Sequence, residues 1–319
     1  PFLGDKVSEP RTLVFGHRDR VDEARDLARS VRNKRFLYIR NFMPHLGYNQ
    51  PTAWPDQGEI RHEFYRLSNP EVMTPAQWHY ASPTRPREEL YDCQMDPQNL
   101  INLAQSRAHE HILEKMRRRL HGHLIDSRDL GFLPEFEAWM KFGNSSGWEV
   151  GRSGKIDFGA ILQAAYAVGI SDEAKLLGLL QSNNESVRYW GAIGLAASKK
   201  KTGKKAILAL FKTLHDSSPS VRIEAANALA RIGKIEAALP ILIEELEHEN
   251  LIVVTHAART IELLGKEAKK ALPAMQECLA RANEIRPPDL SPVVVLPGDQ
   301  DMAMFVAFSC QAFIEKCMR

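Results

Sequence analysis

The second half of the chain repeats itself. Glu185-Ser186-Val187-Arg188, Pro219-Ser220-Val221-Arg222 and Leu251-Ile252-Val253-Val254 follow one pattern, and each runs on into an alanine-containing stretch. Val187 and Val221 are 34 residues apart, Val221 and Val253 are 32 apart, and Gly233 and Gly265, at equivalent helix ends, are again 32 apart. A repeat of that length is one pair of helices, too small to bury its apolar face alone, so copies stack and share a core. The regularity predicts stacked helix pairs from Lys155 onward.

The Val-Arg helix start resembles short HEAT repeats, whereas the key aromatic and proline positions of tetratricopeptide units are not matched. Partner helices are expected over 205–214, 236–247 and 266–282, with Leu, Ile and Ala at helical spacing, and a last helix over 303–317 closes the stack. Pro287, Pro288, Pro292 and Pro297 mark an extended loop before that helix. Val187, Val221 and Val253 read as core of the stack rather than as a ligand box.

The first half has a different texture. Arg11-Thr12-Leu13-Val14-Phe15, then Val31, a turn at Asn33-Lys34, and Arg35-Phe36-Leu37-Tyr38-Ile39-Arg40 alternate apolar with basic residues, the mark of strands with one wet face. Leu90-Tyr91 adds another, giving three or four strands in a small antiparallel sheet. A helix over 107–124 follows, carrying Ile112, Leu113, Met116 and Leu120. Between the strands lies a long loop over 41–87, rich in proline and in the aromatics Tyr48, Trp54, Phe64, Tyr65, Trp78 and Tyr80, of a length that is usually functional or disordered. Glycine and serine concentrate over 142–154, where the apolar periodicity stops. The expected organisation is an α+β unit over 1–141, a linker over 142–154 and an all-α solenoid over 155–319.

Bulk properties narrow the function classes. Of 319 residues, 44% are hydrophobic and 26% charged, which suits a folded globular protein. With 42 basic and 40 acidic residues the formal charge is +2, so no net field draws the molecule toward nucleic acid or an anionic membrane, and any anion site is local. No apolar run is long enough to span a membrane. Cys93, Cys278, Cys310 and Cys317 are too sparse for a disulfide framework and lack zinc-ligand spacing. The start at Pro1, with neither an initiator Met nor a signal-peptide pattern, leads us to expect a truncated or processed chain.

One motif carries a family resemblance. Glu89, Leu90, Tyr91, Asp92, Asp96, Pro97, Asn102, Leu103 and Ala104 stand at the offsets of the sulfatase C-terminal signature, with departures at Cys93 and Asn99. The residues also make local sense: Leu90 and Tyr91 suit a strand, Asp96-Pro97 a turn, and Asn102 a helix cap. Arg18-Asp19-Arg20-Val21-Asp22-Glu23, Arg29-Ser30-Val31-Arg32, 38–44 and 129–135 are similar to a heparan N-sulfatase-like or arylsulfatase-like subgroup. The resemblance implies hydrolysis of sulfate esters or sulfamates by a formylglycine made from Cys or Ser in C/S-x-P-x-R, beside a calcium ion. The nearest local match, Ala81-Ser82-Pro83-Thr84-Arg85, has alanine where an oxidisable residue is needed. Formylglycine and calcium are therefore expected in a catalytic domain upstream of Pro1, with no catalytic residue and no metal ligand in this chain, which alone should be inactive.

What remains for this chain is the wall of a substrate pocket. His17, Arg18, Asp19 and Arg20, directly after a strand, are the candidate substrate-binding residues: an arginine fork suits sulfate or uronate oxygens, Asp accepts from sugar hydroxyls, and neutral His does either. The competing reading is that Asp19, Asp22 and Glu23 pair with Arg18, Arg20 and Arg25 as structural braces. Tyr48, Trp54, Tyr65 and Trp78 either stack on sugar rings or, as favoured here, anchor their loop. His109, His111, His121 and His123 form i, i+2 pairs that do not face one another and read as a wet helical face. Lys199, Lys200, Lys201, Lys204 and Lys205 read as a wet loop between helices.

The chain is thus expected to be the C-terminal part of a sulfatase acting on a sulfated carbohydrate, periplasmic or secreted by resemblance, with its solenoid docking a protein partner, the catalytic domain or glycan. The alternative is a non-catalytic interaction solenoid carrying a derelict sulfatase remnant.

Overall fold

The structure, a computed structural model, describes residues 9–169, 172–198, 202–285 and 299–318. Four strands, β1 (Val14–Arg18), β2 (Ala28–Arg32), β3 (Phe36–Asn41) and β4 (Glu88–Asp92), form one sheet in the order β1-β2-β3-β4, antiparallel throughout. Asn33 sets the β2–β3 turn, its Oδ1 accepting from the amides of Arg35 and Phe36 at 2.8 and 2.7 Å. The segment 41–87 is not structureless: it holds α1 (Glu59–Arg66) and α2 (Pro75–Ala81), the latter entered through a Thr74/Gln77 capping box with Pro75 in the first turn.

The signature motif turns out to be an edge-closing device. Asn102 caps no helix. Its Oδ1 accepts from Leu90 N at 3.1 Å and from Ala104 N at 2.9 Å, its Nδ2 donates to Glu88 O at 3.0 Å, and Leu103 N donates to Leu90 O at 2.7 Å. The open edge of β4 is thereby satisfied by the chain that follows it rather than left as a template for another strand. Asp96 fixes the intervening turn by accepting from Ile101 N at 2.7 Å. The expected helix then begins slightly later than its pattern suggested, as α3 (Glu110–Ser127) after a 3-10 turn, with Leu113, Met116, Leu120 and Leu124 buried under the sheet. The 142–154 stretch contains α5 (Gly147–Arg152), which follows α4 (Glu135–Phe142).

The remainder is helical: α6 (Phe158–Ala167), α7 (Glu173–Leu180), α8 (Glu185–Ala196), α9 (Lys204–Thr213), α10 (Pro219–Arg231), α11 (Ile235–Glu245), α12 (Leu251–Leu264), α13 (Leu272–Ile285) and α14 (Asp299–Met318). The repeated valines sit three residues after equivalent N-caps, Asn184, Ser218 and Asn250, each of which accepts from amides of the first turn. Gly233 and Gly265 take φ of +78° and +61°, a region that glycine enters without steric cost, and so end α10 and α12 at matching points. Arg188 ties one unit to the next through a paired contact with Asp216 at 2.6 and 2.8 Å. The fold is α+β: a four-stranded antiparallel sheet followed by a HEAT-repeat stack. Lys199, Lys200, Lys201 and the four prolines 287, 288, 292 and 297 lie outside the described residues, while Lys204 and Lys205 open α9 with exposed side chains.

The core of the sheet unit continues into the stack. Val31, Leu90, Leu120 and Phe132 share one apolar cluster with Ile161, Leu162, Trp190, Ile193 and Val221. Phe42 sits at its centre, its ring 4.7 Å from Phe132, 5.3 Å from Tyr166 and 6.4 Å from Trp190. Among the described residues no helix is long and apolar enough to cross a membrane.

Candidate functional site

Strand alternation splits the four candidate residues. β1 ends at Arg18, and successive side chains leave on opposite faces. His17 and Asp19 go one way, toward Arg29, which lies opposite His17 in the register. With His123, Arg128, Asp129, Trp148 and Arg152 they line a groove of about 420 Å3. Arg29 is buried and clamped, its Nη2 2.8 Å from Asp19 and 3.0 Å from Asp129, its Nε 2.5 Å from Asp129. Burial works against its charge, but the two carboxylates outweigh this and raise its pKa. Asp19 is thus committed to Arg29, while His17 is exposed on the groove wall beside His123, itself stacked on Phe15 at 3.7 Å.

Arg18 and Arg20 go the other way. Arg18 is half-exposed, its Nε 2.9 Å from Asp26; the buried Asp26 is held independently by both Nη groups of Arg85. Arg20 grips Glu135 of α4 through two contacts of 2.8 and 2.9 Å, donates to Asp22 O, and lies over the Phe305 ring. The pairings therefore differ from those expected: Asp19 holds Arg29 rather than Arg18, Arg20 holds Glu135 rather than Asp22 or Glu23, and Arg25 holds Glu224. The four residues do not converge on one point, but His17 and the outer half of Arg18 remain accessible at the end of β1.

Arg25 leads into a buried polar joint. It contacts Glu224 at 2.8 Å, His256 and the Tyr189 hydroxyl. Burial first, then the charge of Arg25, hold the His256 imidazole down to about 4, so at neutral pH its 2.9 Å contact with Glu224 is a hydrogen bond rather than an ion pair. Burial would raise the Glu224 carboxyl, yet the donors from His256 and Arg25 keep it well below the usual range.

A larger cleft, of about 1340 Å3, opens between the 45–62 segment and helices α10, α12 and α14. Sequence reasoning singled out the long loop but missed the residues here, because they come from segments some 200 positions apart: Glu23 and His45 on one side, Arg231 and Glu262 on the other. Glu23 Oε2 and His45 Nδ1 are buried without a hydrogen-bond partner among the described residues. Of the loop aromatics, Trp54 packs edge-on against Phe308 at 5.5 Å, Phe64 against Tyr80 at 5.2 Å, and the Tyr65 hydroxyl donates to Asp56 at 2.8 Å, contacts that hold the loop to itself and to α14.

The family model for HEAT repeats matches residues 173–262 and 207–286. Over 145 residues the chain is 34% identical to an ulvan-active sulfatase of Formosa agariphila, a match covering 46% of this chain and 24% of that protein. Over 114 residues it is 33% identical to the phycocyanobilin lyase subunit alpha of a Picosynechococcus species, covering 34% of this chain and 41% of that protein. The chain spans less than half the length of either relative. No solved structure gives a significant match.

Proposed function

We propose that this chain is the C-terminal part of a sulfatase that hydrolyses sulfate esters or sulfamates of a sulfated carbohydrate. The observation that carries this reading is the 34% identity to the ulvan-active sulfatase, together with the signature residues Glu89 to Ala104. Under this proposal the end of β1 forms part of the pocket wall. His17 on one face of the strand end and Arg18 on the other present donors to separate sulfate or uronate groups of the saccharide, while Asp19 and Arg20 fix the backbone beneath them through Arg29 and Glu135. The HEAT stack is the docking module for the catalytic domain, a protein partner or glycan, and the parent protein is periplasmic or secreted.

Calcium and formylglycine do not fit the residues present. Among the described residues no three His, Cys, Asp or Glu side chains converge on a metal position, and Ala81 stands in the one near-match to the formylglycine motif. Under this reading both groups belong to a separate catalytic domain.

The test is sulfate release from sulfated polysaccharides by the full-length protein, with His17→Ala and Arg18→Ala compared against the unaltered protein. Each substitution is expected to lower kcat/KM by roughly tenfold to a hundredfold, the worth of a hydrogen bond to a charged group. Arg18→Ala leaves Asp26 paired with Arg85, so the fold should stand. A correctly folded full-length protein that releases no sulfate from any sulfated glycan would instead favour the interaction-module alternative.

A further inference from the structure

The sheet unit carries a second concavity, of about 530 Å3, where β3 and β4 meet α3 and α6. Arg40, Arg87, Arg117, Arg118 and His121 line it, against the single carboxylate of Glu88. Glu88 is already taken: it accepts from Arg117 at 2.6 and 2.8 Å, from Arg87 at 2.6 Å and from the Tyr38 hydroxyl at 2.7 Å. Burial alone would raise its carboxyl, but these donors bring it down to about 2, so it stays ionised and fully engaged.

The positive charge is left in excess. Arg40 is 2% exposed, and its Nη donors go to carbonyl oxygens, those of Asn41, Arg87, Tyr166 and Val168 at 3.0 to 3.2 Å. Carbonyl dipoles satisfy its hydrogens without neutralising its charge. Burial and the neighbouring Arg87 lower its pKa to about 10, which still leaves it protonated at neutral pH. Among the described residues Arg118 reaches only Glu114, at 3.8 Å, and its side chain is 73% exposed. Four guanidinium groups line the concavity against the carboxylate of Glu88, with Glu114 beside Arg118, and the surplus focuses a positive potential that bulk charge, at +2 for the chain, does not reveal.

Size and lining narrow the ligand. A cavity of some hundreds of Å3 suits a ring-bearing molecule rather than a bare ion. Its wall is partly aromatic, with Tyr166 and His121 side by side at 5.6 Å, a surface against which the CH face of a sugar packs. We propose that this pocket holds a sulfated sugar unit of a saccharide chain, as a subsite separate from the His17 groove. The choice of sugar rests on the reading of the chain as part of a sulfatase; the surplus of guanidinium groups does not. Helix α3 contributes to both sites, with Arg117, Arg118 and His121 on this pocket and His123 and Ser127 on the groove.

The experiment is calorimetric titration of the full chain with a sulfated oligosaccharide, its desulfated counterpart and sodium sulfate, repeated for Arg118→Glu and His121→Ala. Both sites are at the surface, and thermal melts check that the variants fold. The sulfated oligosaccharide should bind, the desulfated one and sodium sulfate should bind at least roughly tenfold more weakly, and Arg118→Glu should cost roughly tenfold, one charge-assisted contact. Equal binding of sulfated and desulfated ligands, sodium sulfate binding as tightly as the saccharide, or undiminished binding by both variants would overturn the proposal. Sulfate release by the full-length protein separates the two readings: release with undiminished binding by the pocket variants sinks only the subsite, and pocket binding without release sinks only the sulfatase assignment.

Discussion

Arg25 donates through Nη1 to Glu224 Oε1 over 2.8 Å, joining the turn after β1 to helix α10 across 199 residues of chain. Both side chains are largely buried, so neither can turn to water if the other is lost. Glu224→Leu should destabilise the protein by about 3–5 kcal/mol, because a buried guanidinium is left without its carboxylate. Replacing both, as Arg25→Met with Glu224→Leu, should recover much of that loss. Chemical denaturation of the three proteins measures it, and a double variant as unstable as the single one would show that the charge is not the cause.

The same joint makes stability pH-dependent. His256 titrates at about 4 when folded against 6.5 ordinarily, so between those values the unfolded chain binds more protons and acid favours unfolding. Its contribution is complete above pH 6.5 and is lost as pH falls toward 4, on the order of 3 kcal/mol over the window. His45, driven down to about 3 by burial and then by Arg231, adds a change of the same sign. Glu224, held low, is lost only below its usual 4.5. Glu23 and Glu262, raised by burial, act with the opposite sign, so the wild-type slope is a sum. His256→Asn should therefore flatten the rise in melting temperature from pH 4 to pH 6.5 relative to the unaltered protein; an unchanged slope would place the titration elsewhere.

Asn102 offers a sharper local test. Replacing it with alanine removes the acceptor of Leu90 N and the donor to Glu88 O together. Because Leu90 is fully buried, the cost should be about 1–3 kcal/mol, the penalty for an orphaned buried donor. Amide hydrogen exchange should show Leu90 N losing protection while β2 amides keep theirs. Equal loss across the sheet would mean a global effect.

Trp190 anchors the helix stack to the 129–135 segment of the sheet unit, its Nε1 donating to Phe132 O at 2.8 Å inside the aromatic cluster. Trp190→Phe keeps most of the ring and loses the hydrogen bond, for an expected cost of about 1–3 kcal/mol. Trp190→Ala also opens a cavity and should cost about 3–5 kcal/mol. Near-equal effects in denaturant titrations would assign the stability to the bond rather than to the ring.

Much of the architecture was legible because it is periodic. Val187, Val221 and Val253 mark equivalent helices, and the N-caps three residues before them follow from the same register. Strand alternation around Phe36 to Arg40 and the helical spacing of Leu113, Met116 and Leu120 were likewise visible. Asn102 was misread because asparagine is equally suited to a helix cap and to a strand edge, and only the path of the chain decides which amide it meets. The helices within 41–87 were hidden by the prolines scattered through that segment, one of which, Pro75, in fact starts a helix.

The candidate site divides along the same line. The amino-acid sequence alone determined that an arginine-rich segment at residues 17–20 stands at the end of a strand, that helix pairs repeat after residue 155, and that a sulfatase-like signature precedes them, because each depends on neighbours within a few residues or on a fixed period. The tertiary structure decided which charges are spent and which remain available. Asp19 went to Arg29 and Arg20 to Glu135, while Arg40, Arg87, Arg117 and Arg118 were gathered along one pocket. The reason is physical: pairing between charges depends on distance and burial, and residues 18 and 85, or 25 and 224, meet the same partners only after the chain has folded.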